Sequence, residues 1–104
     1  MKTIYISGPM TGMPDLNFPA FHAAAAMLRD LGHDVRNPAE VGEEPGKSWE
    51  DYMRKDLRLL CDCTAIYLLP GWERSKGAHL ELHIAHRLGL EVMLPRMRPH
   101  PYTT

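Results

Sequence analysis

The chain is short of several things. In its 104 residues there are two cysteines, Cys61 and Cys63, and the net charge is −1. A C-x-C pair inside a helical pattern has neither zinc-ribbon nor redox spacing, and so low a count points to a reduced, cytoplasmic setting. The near-zero charge gives no electrostatic footprint for nucleic acid or an anionic membrane. No apolar run approaches the length of a membrane span. Nothing reads as a signal peptide, because the opening residues run straight into Ser7-Gly8-Pro9. Neither G-x-G-x-x-G nor a P-loop with its lysine occurs, and there is no internal repeat. None of these features asks for a cofactor or a metal. At this length one domain with a single core is expected, near the small end for independent stability.

What the chain has is regular in order. Its 44% hydrophobic and 24% charged residues are those of a soluble globular domain. Residues 2–6, K-T-I-Y-I, are rich in β-branched and aromatic types and read as a buried first strand. A glycine-bearing loop follows to residue 17. Phe21, Ala24, Ala25 and Leu28 then recur at helical spacing, opened by Pro19 and stopped by Gly32. Residues 33–36 form a brief second strand with Val35 inward, and residues 42–47 a polar loop. Ser48 caps a second helix, with Glu50 and Asp51 well placed for its dipole. The inward positions of that helix are Trp49, Tyr52, Met53, Asp56, Leu57 and Leu60. Residues 64–69 are the clearest strand, residues 75–88 a third helix capped by Ser75 and ended by Gly89, and residues 91–94 a fourth strand. Residues 95–104 form a proline-rich tail without expected regular structure, which leaves 1–94 as the domain.

Strand–helix alternation of this kind predicts an α/β layer fold, a small Rossmann-like or flavodoxin-like domain. Its sheet should be mostly parallel, with about four strands flanked by helices. Ligands in such folds sit beyond the carboxyl ends of the strands, near the switch in strand order. The loops at 7–12 and 70–75 both lie on that edge.

One residue is out of place. At about 100° per residue, Gly77, Ala78, Ile84, Ala85 and Leu88 share one arc of the third helix, and Glu81 falls in its middle. A buried, unpaired carboxylate costs several kcal/mol or changes its pKa, so an inward glutamate is a candidate for chemistry. The structural alternative is a buried acid paired with Arg36, Arg54, Arg58 or Arg74. Asp56 is a second carboxylate in an apolar stripe, with Lys55 and Arg58 flanking it as a reason to sit at the stripe's edge. Two inward carboxylates together are the apparatus of glycosyl transfer, one as nucleophile and the other positioning or shuttling a proton. His79, His83 and His86 have metal-compatible spacing, but they lie roughly 140° to 200° around the helix from Glu81 and face solvent or a partner. The turn Ser7-Gly8-Pro9-Met10-Thr11-Gly12 offers backbone N–H groups and two hydroxyls to a phosphate or a sugar. Trp49 and Trp72 both read as packing residues, with stacking on a nucleobase as the alternative for Trp72. The Tyr5 hydroxyl reaches the site if its ring points to the strand end.

These residues in combination resemble the nucleoside 2-deoxyribosyltransferase superfamily, including its small nucleotide N-glycosidase branch. The resemblance rests on Ile4-Tyr5-Ile6-Ser7-Gly8-Pro9-Met10-Thr11-Gly12, on Asp56-Leu57 ahead of a hydrophobic strand, and on the Gly-x-x-x-Glu spacing from Gly77 to Glu81. The style of G-P-M-T-G, S-W-E-D-Y-M and L-L-P-G-W-E is similar to a domain-of-unknown-function family often carried by phages. The resemblance implies that Glu81 attacks the anomeric carbon and that Asp56 orients it or binds the sugar. It implies that residues 8–12 hold the sugar or its 5′-phosphate; Tyr5, Ser7, Trp72, Ser75 and Gly77 complete the expected substrate-binding set. Thr64 and Ser75 stand where relatives carry aspartates, and Thr11 where some glycosidases present an arginine to phosphate. The expected partner is a small nucleoside or nucleotide, with no membrane and no nucleic acid, and the expected assembly is a homodimer or higher homo-oligomer. A non-catalytic module that binds or sequesters a nucleotide or an NAD-derived metabolite is the alternative.

Overall fold

The structure is a computed structural model and describes residues 1–42 and 44–95. Strands β1 (Thr3–Ser7), β2 (Asp34–Arg36), β3 (Ala65–Leu68) and β4 (Glu91–Met93) alternate with helices α1 (Phe18–Asp30), α2 (Trp49–Cys61) and α3 (Lys76–Arg87). The four strands form one sheet in the order β2-β1-β3-β4, and every pair is parallel. The α/β expectation is met, and the strand order switches between β1 and β3.

Right-handed crossovers place α1 on one face and α2 with α3 on the other. Two apolar layers record this. Phe21, Ala24, Ala25 and Leu28 of α1 pack on Ile4, Ile6, Val35, Ala65 and Tyr67. On the opposite face Leu60 of α2 and Ala85 of α3 pack on Tyr5, Ile66 and Leu68. Full burial of each large apolar side chain in these layers contributes roughly 1.5–3 kcal/mol. The central strands are buried on both faces, which is why they read as continuous apolar runs.

Local signals fix the helix starts. Ser48 and Asp51 form a reciprocal capping box on α2, with Ser48 Oγ accepting from the Asp51 N–H and an Asp51 carboxylate oxygen accepting from the Ser48 N–H. Ser75 Oγ accepts from the Ala78 N–H at the start of α3. Ahead of α1 the chain makes a left-handed turn, with Asp15, Leu16 and Asn17 at φ of 51°, 53° and 61°. Non-glycine residues rarely adopt that region.

Two expectations need correction. Leu88, placed on the inward arc of α3, is 55% exposed, because the helix ends at Arg87 and Leu88 is already its cap. Trp49, expected inward, is 45% exposed at the first position of α2. The proline-rich tail, apart from Pro95, lies outside the described residues.

Candidate active site

A cavity of about 650 Å³ opens where the loops after β1, β2 and β3 meet the first turns of α2 and α3. Glu81 is on its wall and only 5% exposed. Two side chains of β1 hold it. Tyr5 and Ser7 are two residues apart on one strand and so point to the same side of the sheet. The Tyr5 hydroxyl donates to Glu81 Oε2 at 2.6 Å, and Ser7 Oγ donates to Oε1 at 2.6 Å. Short bonds of this kind to a carboxylate are charge-assisted and strong. They fix the orientation of both carboxylate oxygens.

Among the described residues no cation pairs with this carboxylate. Arg36 pairs with Asp34 and Arg54 with Asp51, and among the described residues no arginine or lysine makes an ion pair with Glu81. Burial therefore dominates its titration. Loss of solvent pushes the Glu81 pKa up to about 7, the Ser7 and Tyr5 hydroxyls pull against this, and the charge of Asp56 adds to the rise. Tyr5 is held well above its ordinary value of 10.0 by burial and by Glu81, so it remains a donor.

Asp56 lines the same cavity from α2, and burial raises its pKa to about 6. Among the described residues it has no hydrogen-bond or ion-pair partner. It is thus an acid that changes protonation close to neutrality beside a glutamate that does the same, and their titrations are linked.

Two glycines permit this convergence. A Cβ on Gly8 would lie 2.8 Å from the Leu69 Cβ, so the turn after β1 closes against β3's exit only without a side chain. A Cβ on Gly77 would come within 3.1 Å of Met53 Cε, and this close approach brings the start of α3 against the helix that carries Asp56.

Of the residues singled out in the sequence, Tyr5, Gly8, Pro9, Met10, Thr11, Asp56, Ser75, Gly77 and Glu81 all line the cavity. Ser7 lies behind Glu81 and acts on it rather than on the open space. Gly12 is exposed beyond the lining. Trp72 is absent from the cavity wall. It packs against the layer that holds Leu60, Ile66 and Leu68, with its ring 5.3 Å from that of His79, so the structure places it as a packing residue. His79, His83 and His86 are exposed, and among the described residues no cluster of His, Cys, Asp and Glu could hold a metal ion.

Other lining residues gave weaker sequence signals. Phe21 of α1 read as core, yet it lines the cavity together with Leu16, Phe18, Pro38 and Val41, an apolar set. Lys55, Arg74 and Lys76 bring three cations to the cavity. Lys55 is paired with Glu44.

Residues 2–94 match the family described as Domain of unknown function (DUF4406). The chain belongs to this family. The DUF4406 domain shares its fold with a solved 2-deoxyribosyltransferase from Bacillus psychrosaccharolyticus, at a TM-score of 0.69 and 26% identity. That match covers 93% of this chain and 77% of the other. A 58-residue stretch is 34% identical to leucine carboxyl methyltransferase 1 of Emericella nidulans, over 54% of this chain. The chain spans only 15% of that curated relative's length. No helix among the described residues is long and apolar enough to cross a membrane.

Proposed function

We propose that the DUF4406 domain cleaves or transfers at the N-glycosidic bond of a nucleoside or nucleotide, with Glu81 as nucleophile. One observation carries the reading. A buried carboxylate with no cation partner among the described residues is held by two hydroxyls on the wall of a cavity that a second carboxylate shares. A structural acid would be paired or turned outward, whereas this one is desolvated and aimed. The fold shared with a protein described as a 2-deoxyribosyltransferase, a biocatalyst for nucleoside synthesis, supports the same class of chemistry.

The steps follow from the groups present. Ionised Glu81 attacks the anomeric carbon as the bond to the base nitrogen breaks through an oxocarbenium-like transition state. The leaving nitrogen takes a proton from Asp56, in the form of the singly protonated pair in which Asp56 keeps the proton and Glu81 is ionised; with Asp56 near 6 and Glu81 near 7, that form is the minor one of the two. A glycosyl ester on Glu81 results. Water or a second base then attacks the same carbon, the ester bond breaks, and the sugar retains its configuration. Tyr5 and Ser7 keep the carboxylate oriented throughout and offset part of its desolvation.

The test is base release from a panel of nucleosides and nucleotides, followed by chromatography, for wild type and Glu81→Ala. Loss of release in the variant is expected. Equal rates from both proteins remove Glu81 as nucleophile, and binding without release from either points to the sequestering alternative.

A further inference from the structure

The connection from β1 to α1 holds a backbone that its residues do not choose by themselves. Asp15, Leu16 and Asn17 follow one another at φ of 51°, 53° and 61°. L-residues visit that left-handed region singly, and runs of it are avoided because Cβ crowds the following carbonyl oxygen. Asp and Asn tolerate it best, and the two flanking positions carry them. Leu16, between them, lacks that tolerance, and glycine would sit there without the steric cost. Three backbone bonds shape the turn. The Met13 N–H donates to the Met10 carbonyl at 3.0 Å, the Leu16 N–H to that of Met13 at 3.0 Å, and the Phe18 N–H to that of Asp15.

Little inside the fold offsets this cost. No residue from Pro14 to Asn17 is buried, and the Asn17 side chain makes no capping bond. Met10 and Phe18, on either side, pack on the apolar layer under α1, whereas Leu16 is not among the side chains packed on either layer. What Leu16 does meet is the cavity, whose wall it shares with Phe18, Phe21 and Val41. A leucine kept at a strained position on a cavity wall points to a contact with what the cavity holds. We propose that residues 13–17 are a strap that closes over a bound nucleoside, with Leu16 as its inner face. Contact between Leu16 and the ligand offsets the left-handed backbone, and without that contact the turn relaxes away from the cavity. The proposal rests on the cavity taking a nucleoside, and it adds the moving part that covers it.

Amide hydrogen exchange read by NMR follows the strap itself, in Glu81→Gln so that no ligand is turned over. With a panel of 2′-deoxynucleosides at saturation, the amides at positions 16 and 18 are expected to exchange at least ~10-fold more slowly than without them. Calorimetric titration in the same background then separates backbone from side chain. Asn17→Val puts a β-branched residue into the left-handed turn and is expected to weaken nucleoside binding ~10-fold, whereas Asn17→Gly removes backbone cost and should tighten it ~3-fold. Leu16→Ala is expected to weaken binding ~10-fold and abolish the nucleoside-dependent protection, and Leu16→Met to restore both. Met27→Ala, at an exposed position further along α1, serves as the control and is expected to change neither. Exchange at positions 16 and 18 that is the same with and without every nucleoside overturns the proposal. So does binding that is unchanged in both Leu16→Ala and Asn17→Val. If nucleosides protect the strap through Leu16 while wild type releases no base, the strap stands and the catalytic reading fails. If wild type releases base while the strap exchanges alike in both states, the reverse holds.

Discussion

Glu81→Gln is expected to stabilise the folded chain above neutral pH and to destabilise it by about 1 kcal/mol in acid. The ordinary glutamate value is 4.5, and burial lifts Glu81 to about 7. Below pH 4.5 the carboxyl is protonated in both the folded and unfolded chains, and no penalty exists. Between 4.5 and 7 the unfolded chain has lost a proton that the folded chain retains, so stability falls as pH rises. Above 7 the penalty is complete. A displacement of this size corresponds to about 3 kcal/mol, at about 1.36 kcal/mol per pH unit. Glutamine bears no such penalty, and its amide can still meet the Tyr5 and Ser7 hydroxyls, at a cost of about 1 kcal/mol for poorer bonds. The net gain of about 2 kcal/mol corresponds to a rise in Tm of roughly 10 °C for a domain of this size. Thermal unfolding at pH 8.5 and pH 4.5 reads it directly. A variant no more stable than wild type at pH 8.5, or equally altered at both pH values, refutes the claim that Glu81 sits desolvated and unpaired. Because the same variant loses the proposed nucleophile, it should exchange activity for stability.

Two further substitutions test the support around this residue. Tyr5→Phe removes a donor that lowers the Glu81 pKa, so the acid limb of kcat/KM, set near 7 in wild type, should move to higher pH and activity at neutral pH should fall. A pH–rate profile checks this, and an unmoved limb contradicts it. Gly8→Ala and Gly77→Ala should separate by where the new methyl lands. At Gly8 it meets the Leu69 Cβ at 2.8 Å, which cannot swing aside, so chemical denaturation should show a loss of about 1–3 kcal/mol. At Gly77 it meets the flexible tip of Met53 at 3.1 Å, so the loss of stability should be smaller and the main effect a narrowed cavity.

Much of this arrangement was legible in the residues, for physical reasons that also mark the limits. Helical phase alone put Glu81 inward, because its neighbours Ala78 and Ala85 leave one face for the core, and both are buried. Phase failed at Leu88, since a wheel has no ends and the helix stops one residue earlier. Asp56 was legible as a member of the α2 stripe, whereas the exposure of Trp49 was not, because this first residue of α2 lines the open cavity. Four arginines were open as partners for Glu81, yet Tyr5 and Ser7 hold it. Strand alternation placed those two on one face, but only the pairing of β1 with β3 and the packing of α3 bring that face to Glu81. The loop contributions of Leu16, Pro38 and Val41 come from two separate connections, β1 to α1 and β2 to α2, and no spacing in the sequence joins them.

The most direct measurement of the central claim is a search for the sugar on Glu81. Wild type mixed with substrate, quenched in acid and digested with trypsin yields a peptide spanning residues 77–87, G-A-H-L-E-L-H-I-A-H-R, whose only side-chain carboxyl is Glu81. Mass spectrometry should find this peptide carrying one deoxyribosyl unit, with its 5′-phosphate where a nucleotide is used, and no such adduct on Glu81→Gln. Base released at full rate with this peptide never modified, and released equally by Glu81→Gln, contradicts the account.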